Sequence, residues 1–491
     1  MISASTVRHP VLTFLAWQAA GLALLFSHIG LAAVLGSAVP SYCLSIPLAA
    51  LIYIADPLAG FAVWLQFLLY QNLAVSIFSG QLDAAVYQQL LGSSFALTFA
   101  MAAAAAWRLW GAEESRRTLV VVLAALATVI AYTAFGAAQS SFGSAAVYFR
   151  STSVAILCLL IGWDVGREHS YREIGVCYLT SMALGVALTL WEATAPLSYY
   201  NWVDAADYYR LKYTPPTGRP DMDFRTAEDV VAFVTNVFFN FSDFGLASIR
   251  FGGPNMHSIS YAYLMTIGAL VAASLGIFWY AVMLLPLLFL IGVKGAVVVL
   301  GATVFIWIVG RLFGGRVLAV FGAVAGVGYI VSVISYGLAA GDYHVIGLMG
   351  GIDGFLRDPL GHGIGVGGNL SSSVTAADLS TSWPEFQRYG ADQALESAIG
   401  VLLYQMGIGA GVVLYALWIP FRATIAEFRR PAGLIPIALA VCFANGFFQE
   451  EAFSPYALAL LTVLAGVLSN AVGTVAATAI HVEEHRYAMS G

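Results

Sequence analysis

Runs of apolar residues near the ~20 needed to cross a hydrocarbon core recur along almost the whole chain, and nothing else in the sequence constrains its fold as much. Inside a bilayer such runs can satisfy their backbone polar groups only as helices or as closed barrels. The short alternating segments of a membrane barrel do not dominate here. Only 10% of the 491 residues are charged and 60% are hydrophobic, whereas a soluble chain carries about a quarter charged. The expected fold class is all-α, a polytopic transmembrane helix bundle. Helices are expected near 11–36, 41–55, 57–77, 89–106, 118–138, 151–165 and 173–193, and again near 256–274, 277–292, 295–310, 317–338, 395–420, 433–447 and 455–475. That makes about fourteen spans, of which 41–55 and the runs within 277–310 are short enough to be tilted, broken or re-entrant.

Two long polar stretches interrupt the pattern, from Thr194 to Arg250 and from Ala339 to Leu395. Arg8, the group Arg108, Arg116 and Arg117, the pair Arg167 and Arg172, the pair Arg311 and Arg316, and the group Arg422, Arg429 and Arg430 all fall on one side by parity; Arg150 is the exception. The positive-inside rule makes that side cytoplasmic, with both termini there and both polar stretches outside, in the periplasm if an outer membrane exists. The expected organisation is an N-terminal bundle (1–193), a first outer loop (194–255), central spans (256–338), a second outer loop (339–394), C-terminal spans (395–476) and a cytoplasmic tail (477–491). The first apolar run is too long for a signal-peptide core and reads as a retained helix. Cys43, Cys158, Cys177 and Cys442 all lie in apolar runs, which assigns them to packing rather than to disulfides or zinc. His481 and His485 in the tail read as part of a solvated end, not a metal site.

Several residues in or beside the outer loops could carry chemistry. Glu396 opens a span, where a carboxylate needs a wet cavity or a partner; the helix dipole favours its charged form, which suits either a base or a cap. Lys294 is a lone cation between two apolar runs and would meet an anionic head group or snorkel to phospholipid. Arg250-Phe-Gly-Gly-Pro254-Asn255 closes the first loop, with a helix expected to start at Pro254 or Asn255; its arginine suits a lipid diphosphate or an interfacial anchor. His344 opens the second loop as a packing residue or a functional one. In that loop, Arg357-Asp-Pro-Leu-Gly361-His362-Gly-Ile-Gly365-Val-Gly367-Gly follows a short amphipathic helix. It would form either an anion-binding concavity or a tight packing turn, and it lacks the lysine of a nucleotide loop. Tyr199, Tyr200, Trp202, Tyr208 and Tyr209, mixed with Arg210, Lys212, Arg219 and Arg225, suit sugar stacking or an interfacial belt. Nucleic acid is not expected on this side of the membrane.

From Arg250 to about Tyr456 the chain resembles the O-antigen ligase and Wzy-type polysaccharide polymerase family. Arg250-Phe-Gly-Gly-Pro-Asn255 is similar to that family's arginine, glycine and Pro-Asn element, and Lys294-Gly-Ala stands where Ser-Arg-Gly is usual. Asp358-Pro-Leu-Gly361-His-Gly-Ile-Gly365 resembles its Pro-Leu-Gly-x-Gly-x-Gly turn. Glu396-Ser397, with Gly407-Ile-Gly409 beyond, resembles its His-Asn/Ser element. Glutamate in place of the ligase histidine fits a polymerase better. The resemblance implies transfer from an undecaprenyl-diphosphate-linked glycan donor to a glycan acceptor in the lipid bilayer, without nucleotide sugar, cofactor or metal. Glu396 would be the base, and Lys294, Arg250 and His344 the cations at the departing diphosphate. Arg219, Arg225, Arg357, His362, Gly365 and Asn255 would bind substrate. A chain-length regulator, a flippase and export proteins are the implied partners. A ligase delivering finished glycan to a lipid core or protein, and a lipid-linked oligosaccharide flippase, are the alternatives.

Overall fold

A computed structural model describes residues 10–113, 116–217, 223–237, 247–368, 397–424, 428 and 430–470. The described chain is helical apart from short turns and one ribbon, in which Thr235–Val237 pairs antiparallel with Ala247–Ile249 and Thr235 stands opposite Ile249. Nine helices among the described residues are long and apolar enough to cross a membrane, and shorter apolar helices such as Ser258–Ser274 and Phe278–Ile291 accompany them. The protein is therefore of the helical membrane class.

The chain divides into two compact units. The first gathers Met1–Ala104, Arg172–Gly268 and Trp279–Val293; the second gathers Ala105–Tyr171, Ala269–Phe278 and Lys294–Gly491. At the centre of the first unit is the Pro57–Ile77 helix, 94% buried over its apolar window. Asp56 starts it by accepting from the Leu58 and Ala59 amides, and Pro57 takes the first position, where a missing N–H leaves nothing unpaired. A helix enclosed on all sides must pair its polar groups internally. Trp64 Nε1 donates to Thr98 Oγ1 at 2.8 Å, Gln66 Nε2 to Ser181 Oγ at 3.1 Å and Tyr70 Oη to the Ser181 carbonyl at 2.5 Å.

Small residues set the packing in the second unit, because van der Waals contact at close approach is what holds membrane helices together. Gly162 on the Phe142–Glu168 helix meets the Val463 backbone, and Trp163 and Asn470 hydrogen-bond beside that contact. The Tyr343–Arg357 helix, capped by Asp342, lies on the Ala398–Met406 helix so closely that a Cβ at Gly351 would overlap the Gly400 carbonyl, and one at Gly400 the Gly347 carbonyl. Backbone cannot step aside as a side-chain tip can. Gly351→Ala is therefore expected to destabilise the second unit by at least the ~1–3 kcal/mol of ordinary overpacking. Gly301→Ala, with nothing within 4 Å of the added methyl, is expected to leave thermal unfolding in detergent unchanged or raised.

Two expected helices are corrected. The helix does not start at Pro254 or Asn255: Gly253–Asn255 is a 3₁₀ turn, Met256 is left-handed at φ 53°, and the α-helix begins at Ser258. The 395–420 run is two helices, Ala398–Met406 and Gly409–Thr424, parted at Gly407, where φ is +50° and the backbone presses on Pro359 and Gly361. The first polar stretch is itself folded, as helices Pro196–Trp202, Ala205–Thr217 and Ala227–Val234 and the ribbon. The short helix expected before the glycine turn is Tyr343–Arg357.

Candidate functional site

In the first unit the Arg250–Asn255 segment is held from three helices. Glu192, in the last turn of Tyr171–Thr194, is fully buried. Its Oε1 accepts from Tyr200 Oη at 2.6 Å and the Gly252 amide at 3.0 Å, and its Oε2 from the Gly253 amide at 2.7 Å. Tyr199 Oη donates to the Gly253 carbonyl at 3.0 Å, and Asn72 Nδ2 to the Asn255 carbonyl at 2.7 Å. Gly253 has φ +52°, and a Cβ there would stand 2.6 Å from the Tyr261 ring and 2.7 Å from Thr189 Oγ1, so no other residue fits. Asn255 is 2% exposed, and its Oδ1 finds no hydrogen-bond donor among the described residues.

Arg250 leads this turn from the end of the ribbon, its amide donating to the Val234 carbonyl at 3.0 Å. The guanidinium is half-buried, which lowers its pKa from the usual arginine value. On the neighbouring Ala205–Thr217 helix, Lys212 Nζ stands 5.3–5.8 Å from the ring centres of Tyr208, Tyr209 and Tyr213. Desolvation by these surroundings pushes its pKa down to about 8, so it still carries charge at neutral pH. His257 Nδ1 accepts from the Ser260 amide at 3.4 Å and lies 2.8 Å from Ser260 Oγ. Burial, reinforced by the Lys212 charge, pushes its pKa down to about 3. This unit thus combines an arginine, a lysine and a neutral imidazole around a fixed turn. Tyr199, Tyr200, Tyr208 and Tyr209 are buried and pack on one another, whereas Trp202 is 49% exposed. Arg225 is exposed and paired with Asp223.

Lys294 and His344 belong to the second unit. Lys294 is exposed and opens the Lys294–Phe313 helix; the His344 amide donates to Asp342 at 2.9 Å as part of a helix cap. Arg357 pairs with Asp353 one turn back at 2.9 Å. The His362 ring stacks on Tyr404 at 4.0 Å, and the amides of His362, Gly363 and Ile364 donate to the carbonyls of Tyr404, Gln405 and Tyr132. Gly365, at φ +94°, backs onto Ala145. These contacts make the glycine turn a packing element against the Arg116–Gln139, Phe142–Glu168 and Ala398–Met406 helices, with three of its amides already engaged.

That unit also holds a partly open cavity of about 30 Å³, room for a water-sized guest. Glu450, 8% exposed, lines it with Tyr148, Ser151, Thr152 and Gln405. The cavity abuts the helix that follows Ser397, whose hydroxyl donates to the Phe447 carbonyl at 2.8 Å.

Arg250 and Asn255 thus share one unit, while Lys294 and His344 lie in the other; Glu396 and Arg219 fall outside the described residues. Sequence reasoning missed Glu192 and Glu450. Both are carboxylates at the end of an apolar run, and the principle that singled out Glu396 and Lys294, that membrane-depth charge needs a reason, could have found them. No family model and no curated protein matches the chain.

Proposed function

We propose that the protein is a membrane glycosyltransferase that polymerises lipid-linked oligosaccharide repeat units for an exopolysaccharide, capsule or O-antigen. The donor is an undecaprenyl-diphosphate-linked glycan at the outer leaflet of the bacterial inner membrane. In this reading about fourteen spans put both termini in the cytoplasm and the two polar stretches in the periplasm. The observation that carries it is the Gly252–Asn255 turn, fixed by Glu192, Tyr199 and Asn72 with Arg250 at its head. An interfacial anchor needs only an arginine on a loose chain, whereas recognition of a diphosphate needs that arginine on a backbone that does not move.

Glu396 takes the proton of the acceptor hydroxyl, whose oxygen attacks the donor's anomeric carbon from the face opposite the carrier. The new C–O bond forms as the bond to the diphosphate breaks, and configuration inverts. The departing electron pair stays on the diphosphate oxygen, where Arg250, Lys294 and His344 stabilise the charge. Gene deletion tests the reading: single repeats should remain on the acceptor lipid and the ladder of longer chains should vanish, returning with the wild-type gene. Free polymer accumulating unattached would mark a ligase instead, and an unchanged ladder would end the proposal.

A further inference from the structure

We infer that Glu192 is the positioning residue of this site, a built-in acceptor that sets the geometry of Arg250 and Asn255; the inference rests on the proposed lipid-diphosphate reaction. Gly252 and Gly253 present consecutive N–H groups to one carboxylate, the arrangement by which a backbone nest binds an anion. The ligand here is the chain's own side chain. The Glu192 oxygens accept from two amides and the Tyr200 hydroxyl, so both are engaged in holding the turn and its neighbour helix.

The flanking residues show what this accomplishes. Arg250 lies two residues before the clamped amides and Asn255 two residues after them, so one carboxylate governs the spacing between a cation and a buried amide group. Asn255 is 98% enclosed, its carbonyl is fixed by Asn72, and its Oδ1 has no donor among the described residues. Glu192 itself has no exposed surface and cannot touch substrate. Its effect on the reaction passes entirely through the turn.

The test uses the full chain in lipid nanodiscs, with undecaprenyl diphosphate and undecaprenyl monophosphate as probes. Glu192→Gln keeps size and shape but turns an NH₂ group towards donors. It is expected to weaken diphosphate binding about tenfold and to erase the preference over monophosphate. Amide exchange in the 250–256 peptide should accelerate, with exchange elsewhere unchanged. Tyr200→Phe removes one of the three donors and is expected to weaken diphosphate binding by about two- to threefold, the loss of one such bond; if Glu192→Gln does not fold, this variant decides. Equal weakening of both probes would reduce Glu192 to a folding role. Undiminished binding, or slow exchange that persists in Glu192→Gln, would overturn the inference. If the wild-type protein shows no preference for diphosphate, the proposed reaction falls, and with it the positioning role, while the exchange comparison still reports whether the clamp exists.

Discussion

Arg250→Ala is expected to cut polymer formation by about 10²–10³-fold, the typical cost of removing one preorganised donor from a developing charge. The size of the effect follows from where the guanidinium sits. It is half-buried, its backbone is tied to Val234, and the following turn is clamped by Glu192, so little reorganisation is needed when the leaving group gains charge. A freely hydrated arginine would contribute far less, because solvent would screen it. Arg250→Lys keeps the charge but loses the planar fork that can grip two phosphate oxygens, and should restore activity only in part. The measurement is the chain-length ladder of a deletion strain carrying each variant at equal protein level. A normal ladder from Arg250→Ala would remove the cation from the mechanism.

Glu396→Gln should be at least as damaging, with about 10²–10⁴-fold less polymer, the usual worth of general-base assistance. The amide cannot accept the acceptor's proton, yet it preserves volume and most hydrogen-bonding capacity. Ser397, the next residue, caps the Ala398–Met406 helix by accepting from the Gly400 amide at 3.0 Å, so the chain enters its span immediately after the proposed base. Glu450→Gln is the informative companion, because its cavity is lined by the same helix. A ladder that survives Glu396→Gln but collapses in Glu450→Gln would transfer the base role to the cavity carboxylate.

The long spans were legible because bilayer thickness dictates both their length and their composition. The 57–77 run coincides with Pro57–Ile77, and the 173–193 run with Tyr171–Thr194 to within two residues at either end. What stayed hidden depends on backbone conformation or on distant partners. Hydropathy runs unbroken through Gly407, and nothing local separates that glycine, at φ +50°, from Gly400 inside a helix. Pro254 looks like a helix start because proline suits a first turn, but the chain bends left-handed at Met256 under ties from Glu192, Tyr199 and Asn72, none of them near in sequence. The candidate site divides in the same way. Arg250, Asn255 and the glycine turn could be picked out by type and spacing. The clamp on Gly252 and Gly253 and the cavity around Glu450 arise only when separate helices meet.

The glycine contact between the Tyr343–Arg357 and Ala398–Met406 helices has a bearing on how this protein could diversify. No side chain intervenes at Gly351 and Gly400, so the two helices behave as one solid frame. Gly367, which accepts from Gln405 Nε2 at 2.9 Å, and Ser397, bonded to Phe447, are both fastened to that frame. Substitutions elsewhere on these two helices can therefore accumulate while the contact between them holds, provided that Gly351 and Gly400 stay glycine.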